Sequence, residues 1–351
     1  MNRPSDSAPT GANAQIPAAL VRAGRLEQAG KTQQAVQLYR KIAAQPRLTL
    51  PHCRQIIAGL VRCGETSLAG QINRRLVEIR AAKLPDTIEA ALERVWEDID
   101  ADALDQAVVD WAWSNRDPEF KGNREEFERR AKWGIRAERV LLDWLECRPD
   151  DDSAKSLFID GDASAQQYSA IGAHCRAAAH VGPIFAGPLL YELYDIDVKY
   201  IGSFPALPGS VLSRRLISTS TNDKQSVRRM AEDVVRDGSV LVMAADGNSG
   251  GPPLEDASEE ELALRISPLI PRLVHRHGVT SSYGMAQWVD CKKIQLSVTA
   301  LPQPEDGESE EGFIARWRQA YRDHALAQTK AAPENLRLHR GLWRDIAPAK
   351  A

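Results

Sequence analysis

The sequence carries no excess of positive charge: 45 Lys and Arg stand against 48 Asp and Glu, for a formal net charge of −3. A nucleic-acid partner, whose phosphates call for clustered cations, is therefore not expected. No stretch approaches the roughly 20 consecutive apolar residues that span a bilayer. Cysteine is sparse and scattered (Cys53, Cys63, Cys147, Cys175, Cys291), with no CxxC pair. That argues against a disulfide scaffold or a zinc cage and fits reduced thiols in a cytoplasmic protein. GxGxxG and Walker spacings are also missing, so no nucleotide cradle is expected.

What is present has the composition of a soluble globular protein, 43% hydrophobic and 26% charged, in a chain of 351 residues. That length accommodates two domains, or one with a helical appendage. Residues 1–15 are polar and contain Pro, Ser and Gly without an apolar core. They are expected to form a disordered tail rather than a secretory signal or an anchor.

Residues 16–83 contain an internal echo. Gly30 and Gly64 lie 34 residues apart, and around them Leu26 answers to Leu60, Ala35 to Ala69 and Ile42 to Leu76. A period of 34 is that of tetratricopeptide repeats, each a pair of antiparallel helices. The second copy is weaker, because Asn73 stands where Tyr39 would pack. Two units are fewer than a free-standing array needs. They are expected to lean on a helical connector, residues 84–150, and to act either as a brace or as a groove for a carrier protein or other protein partner.

From residue 151 to 348 the pattern alternates between short apolar runs and helices, which predicts an α/β domain with a largely parallel, helix-covered sheet. "CRAAAHV", "DVKYIGS", "RLISTS" and "SVLVMAADG" read as strands, and "DKQSVRRMAEDVVRDG" as a helix closed by Gly238. The segment from "LISPLIPRLVHRHGV" through "KKIQLSVTALP" reads as further strands, and "EEGFIARWRQAYRDHALAQT" as a helix. Sites in such sheets sit where strands end, which is where His180 and Asp246 fall.

The blocks "AAAHVGPIFAGPLLYEL", "YIGSFPALPGSVLSRRLISTS", "DVVRDGSVLVMAADGNSGG" and "PENLRLHRGLWRDI" resemble, in order and texture, the lysophospholipid-acyltransferase-like superfamily. The likeness is to its lipid A acyltransferase branch and covers roughly residues 155–346. It implies transfer of an acyl or aminoacyl group from a thioester, acyl-CoA or an acyl-carrier protein, to a hydroxyl or amine. No metal and no bound cofactor are implied, and His180 is the implied general base. Family enzymes place an orienting acid five positions after that histidine; here the position is Phe185. Asp246 is the first candidate to replace it and Glu192 the second. Basic residues of the second block hold a phosphate in the family, a role that would fall to Arg214 or Arg215 with Ser218 and Thr219 beside them. The glycine-rich loop after Asp246, including Gly247 and Asn248, offers main-chain N–H groups to an oxyanion, though Asp246 is equally suited to capping that turn. The family's usual membrane anchor is not among these residues, leaving a peripheral membrane encounter open. The alternative is a non-catalytic partner- or ligand-binding protein, and Phe185 is its support.

Among the other histidines, His275 and His277 would share a strand face but lack a third ligand nearby, since Asp290 and Cys291 lie over a dozen residues on. His174 and Cys175 would form a nucleophilic relay only if they touched. The eight tryptophans, five of them between Trp96 and Trp144, are expected to pack cores and domain interfaces.

Overall fold

The computed structural model describes residues 12–45, 48–101, 104, 106–114, 116–169, 172–246, 266–329 and 332–336. The chain forms two compact units, the first comprising the N-terminal residues through Lys83 with 203–214 and 218–222. Its helices are α1 (Ala12–Gln28), α2 (Thr32–Ala43), α3 (Leu50–Arg62) and α4 (Thr66–Ala81). Each pair is joined by the same turn. Gly30 and Gly64 adopt φ of +70° and +79°, a conformation that costs glycine nothing and other residues a steric clash. Lys31 N–H then reaches back to Leu26 O at 2.9 Å, and Glu65 N–H to Leu60 O at 2.8 Å, so that orphan carbonyls at both helix ends are capped alike.

Ala35, Ile56, Leu60 and Ala69 are fully enclosed in this unit's core. Tyr39 lies so close to α3 that a Cβ on Gly59 would fall 2.2 Å from its ring. The core is completed from far along the chain by Leu207, and the neighbouring Pro208 presents its carbonyl 2.7 Å from where Gly70 would carry a Cβ.

The second unit is mixed α/β, built on a six-stranded sheet in the order β3-β2-β4-β1-β5-β6. The strands are β1 (His174–Ala178), β2 (Val198–Gly202), β3 (Leu216–Ser218), β4 (Val240–Ala244), β5 (Thr280–Val289) and β6 (Lys293–Ala300). β4 pairs in parallel with β1 and β2, and β5 in parallel with β1, while β6 is antiparallel to β5. The helices of this unit are α5 (Ile88–Glu93), α6 (Gln106–Ser114), α7 (Arg124–Cys147), α8 (Gly161–Ser169), α9 (Ala186–Leu193), α10 (Lys224–Arg236), α11 (Leu269–His277) and α12 (Glu310–Thr329). Alternation along β1 sends Cys175 and Ala177 into a core shared with α10, α11 and α12. Arg176 faces the other way, its guanidinium 3.6 Å from the centre of the Tyr168 ring on α8.

One expectation needs correcting. "PLIPRLVHRHG" is α11 rather than a strand; its apolar positions Ile270, Leu273 and Val274 follow a helical period, and Gly278 closes it at φ +65°. The region 84–150 belongs to the same unit as the sheet. The reason is α7: Trp133 packs edge-on against Trp288 of β5 at 4.9 Å, and Arg130 holds Glu334 through two hydrogen bonds of 2.9 and 2.5 Å.

Leu207→Ala should destabilise the helical unit by about 2–4 kcal/mol, the cost of an enclosed leucine left as a cavity. Limited proteolysis within α1–α4, read against denaturant, measures it; an unchanged cleavage midpoint would show that Leu207 is not part of that core.

Candidate functional site

Parallel pairing sets β1 and β4 level, with Ala178 opposite Ala244. Ala245 N–H bonds to Ala178 O at 3.0 Å and carries the pairing one step further. Counting two residues past each strand end gives His180 and Asp246. Their side chains meet there: His180 Nδ1 lies 2.8 Å from Asp246 Oδ1, and the His180 main-chain N–H donates to Asp246 Oδ2 at 2.9 Å. The carboxylate is wholly enclosed, whereas 30% of the imidazole side chain is exposed. A carboxylate can only accept, so Nδ1 carries the hydrogen and Nε2 presents its lone pair. Among the described residues no hydrogen bond engages Nε2. This geometry suits a general base facing solvent with an acid fixing its tautomer behind it.

The turn after His180 is held from three sides. Gly182 adopts φ +71°, and any Cβ there would lie 2.2 Å from Ala286 O. Its N–H bonds to Asn335 O at 2.7 Å, while the Asn335 side chain pairs with both main-chain groups of Trp288. Gln328 of α12 donates to Val181 O at 3.2 Å and to Ala286 O at 3.1 Å, and accepts from Tyr283 at 2.5 Å. Tyr321, one helical face along, donates to Ala178 O at 2.8 Å. These supporting residues were not among the sequence candidates. The available signal was Gln328, a polar residue on the same helical face as Phe313, Trp317 and Tyr321, where an apolar one is the norm.

The other expected site residues separate. Glu192 does not serve His180; it receives Arg215 at 2.9 Å, and Arg215 also reaches Asp195 at 3.1 Å. With its guanidinium committed to two carboxylates, Arg215 is not placed as a phosphate anchor. Ser218 is enclosed, its hydroxyl donating to Phe204 O at 2.6 Å and accepting from the N–H groups of Ser220 and Thr221. It shapes a turn rather than presenting a hydroxyl. Arg214 and Thr219 are exposed. Gly247 and Asn248 lie outside the described residues. Phe185 is buried just before α9, and its N–H donates to Glu138 Oε1 at 3.3 Å. An acid thus does reach the first turn after the histidine, but it comes from α7 and binds main chain.

The metal and cysteine readings find no support among the described residues. His275 and His277 sit in the last turn of α11, with His275 Nε2 3.3 Å from Glu308 O, and no group of three metal-ligating side chains occurs. Asp290 and Cys291 form the β5–β6 turn with φ of +51° and +54°. Neighbouring strand residues point to opposite faces, so Cys175 cannot meet His174; burial pushes its thiol up to about 12. His174 is instead bonded at both ring nitrogens, to Thr280 and Ser282 hydroxyls, each at 2.7 Å. A cavity of about 560 Å³ lined by Trp96, Asn123, Arg129, Arg130, Asp290 and Cys291 includes neither member of the His180–Asp246 pair. No described helix is long and apolar enough to cross a membrane.

The chain matches no protein-family profile. It is similar to the Vi polysaccharide export protein VexE of Salmonella typhi, with 29% identity over 328 residues, covering 92% of this chain and 49% of that protein. The chain thus spans about half the length of that relative.

Burial, with the Arg176 cation nearby, lowers His174 from its usual 6.5 to about 4. Its protonation therefore favours the unfolded chain. Stability should be complete above pH 6.5 and fall as pH drops towards 4, by about 3 kcal/mol in all. In His174→Gln that part of the pH dependence of the urea midpoint should vanish; an identical slope in both proteins would place the titration elsewhere.

Proposed function

We propose that this chain is an acyltransferase that moves an acyl or aminoacyl group from a thioester, acyl-CoA or acyl-carrier protein, to a hydroxyl or amine. The observation that carries it is the enclosed Asp246 carboxylate oriented on a partly exposed His180 at the ends of two parallel strands. An acceptor O–H or N–H at Nε2 gives up its proton as the oxygen or nitrogen attacks the thioester carbonyl. The tetrahedral intermediate then expels the thiolate, and the imidazolium returns the proton to sulfur. Atoms and charge balance without a metal or a bound cofactor.

The order of blocks resembling lipid A acyltransferases supports the same chemistry. Asp246, from the neighbouring strand, takes over the orienting task that Phe185 cannot perform. A polysaccharide export protein among the relatives supports a sugar hydroxyl as the acceptor. The helical hairpins with their matched glycine turns, read as tetratricopeptide-like repeats, are the part of the chain we assign to a carrier-protein donor or other protein partner. Both thioester donors are made in the cytoplasm, which is where we place the reaction, with peripheral membrane contact if the acceptor is lipid-linked. A competing reading is a ligand-binding protein without chemistry. It rests on Phe185 at the position where the resembling enzymes carry an acid.

Thioester cleavage and acyl-product mass spectrometry, with acyl-CoA and acyl-carrier protein as donors, separate the two. His180→Ala should fall to background. Asp246→Asn should lose about 100-fold or more, because the amide donates to Nδ1 and drives the hydrogen onto Nε2. Equal background rates for wild type and His180→Ala would leave the binding protein as the answer.

A further inference from the structure

We propose that Tyr321 of α12 is a positioning residue for the His180–Asp246 pair, its hydroxyl fastening together the ends of the two strands that deliver them. As a catalytic device this rests on the acyl-transfer reading above. As geometry it stands by itself. The hydroxyl donates to Ala178 O at 2.8 Å, two residues before His180, on a carbonyl already bonded to Ala245 N–H at 3.0 Å. The charge of the Asp246 carboxylate also acts on this hydroxyl. The Ala178 carbonyl therefore joins Tyr321 to the end of β1 and, through Ala245 N–H, to the residue that follows β4.

The ring cannot wander. Trp317 stacks on it at 5.6 Å and 9°, Tyr283 meets it edge-on at 5.5 Å, and the Trp317 indole is itself pinned to the Ser281 hydroxyl at 3.0 Å. Tyr321 is fully enclosed, so it meets no substrate. Burial and the Asp246 charge raise its phenol well above the usual range, which keeps the hydrogen on oxygen. Positioning is the role left to it. The titratable groups around the Asp246 carboxylate are His180 from the turn after β1, Tyr283 from β5 and Tyr321 from α12. If the Tyr321 donor is removed, the Ala178 carbonyl loses its tie to α12, and the imidazole two residues on is held less firmly against the carboxylate that favours its charged form.

The test uses full-length protein with ¹⁵N-labelled histidine, following the His180 ring nitrogens by NMR through a pH titration. Three proteins are compared: wild type, Tyr321→Phe, and Tyr168→Phe, which loses a buried hydroxyl that packs near Arg176 and Tyr191 instead. In Tyr321→Phe the His180 midpoint should fall by about half a unit or more; in Tyr168→Phe it should not move. Thioester turnover should fall about tenfold or more in Tyr321→Phe, with its pH limb displaced in the same direction. Should Tyr321→Phe fold poorly, 3-fluorotyrosine at position 321, a stronger donor, should raise the midpoint instead. Unchanged midpoints in the 321 variants would overturn the proposal. A displaced midpoint in a protein whose wild type shows no turnover would uphold the strand tie and sink the acyl-transfer reading.

Discussion

A single buried carboxylate organises the site. Asp246 accepts from His180 twice, through the ring and through the main chain, and so fixes both where the histidine's backbone turns and how its ring is presented. A charged group enclosed in this way is tolerable only when its hydrogen bonds are satisfied. Those bonds exist because β1 and β4 are in register, with each residue lying the same distance past its strand end. A slip of one residue would turn one of the pair to the opposite face. Register is thus the quantity that the surrounding packing protects, and α12 and the segment at Asn335 are the parts that do so.

The two histidines at either end of β1 show how environment divides the same side chain into different roles. His174 and His180 begin and follow β1, six residues apart. The first is sealed between hydroxyls and held neutral by burial. The second has one nitrogen given to a carboxylate and the other turned outwards. In the proposed reaction only the second can move a proton to and from a substrate.

Much of this was legible in the residues themselves. The alternation of short apolar runs with helices gave the parallel sheet, and the ends of "CRAAAHV" and "SVLVMAADG" gave His180 and Asp246, because strand ends are a local property of the pattern. "PLIPRLVHRHG" reads as a strand although it is a helix, since a nine-residue amphipathic helix and an apolar strand look alike at that length. Arg215 looked available as a phosphate ligand because sequence does not show that Glu192 and Asp195, some twenty residues earlier, close upon it. Tyr321 and Gln328 were invisible for the same reason: their contacts span more than 140 residues to the loop they hold.

The helical unit's core includes Leu207, and Pro208 sits against Gly70, although α4 ends at Ala81. Translation therefore delivers the last pieces of this core well over a hundred residues after its helices. Until then the hairpins emerge from the ribosome with an open apolar seam, exposed to chaperones and proteases. A gene fragment cut after Lys83 would inherit that unfinished state permanently, so the natural point of division in this protein is not a single cut along the chain.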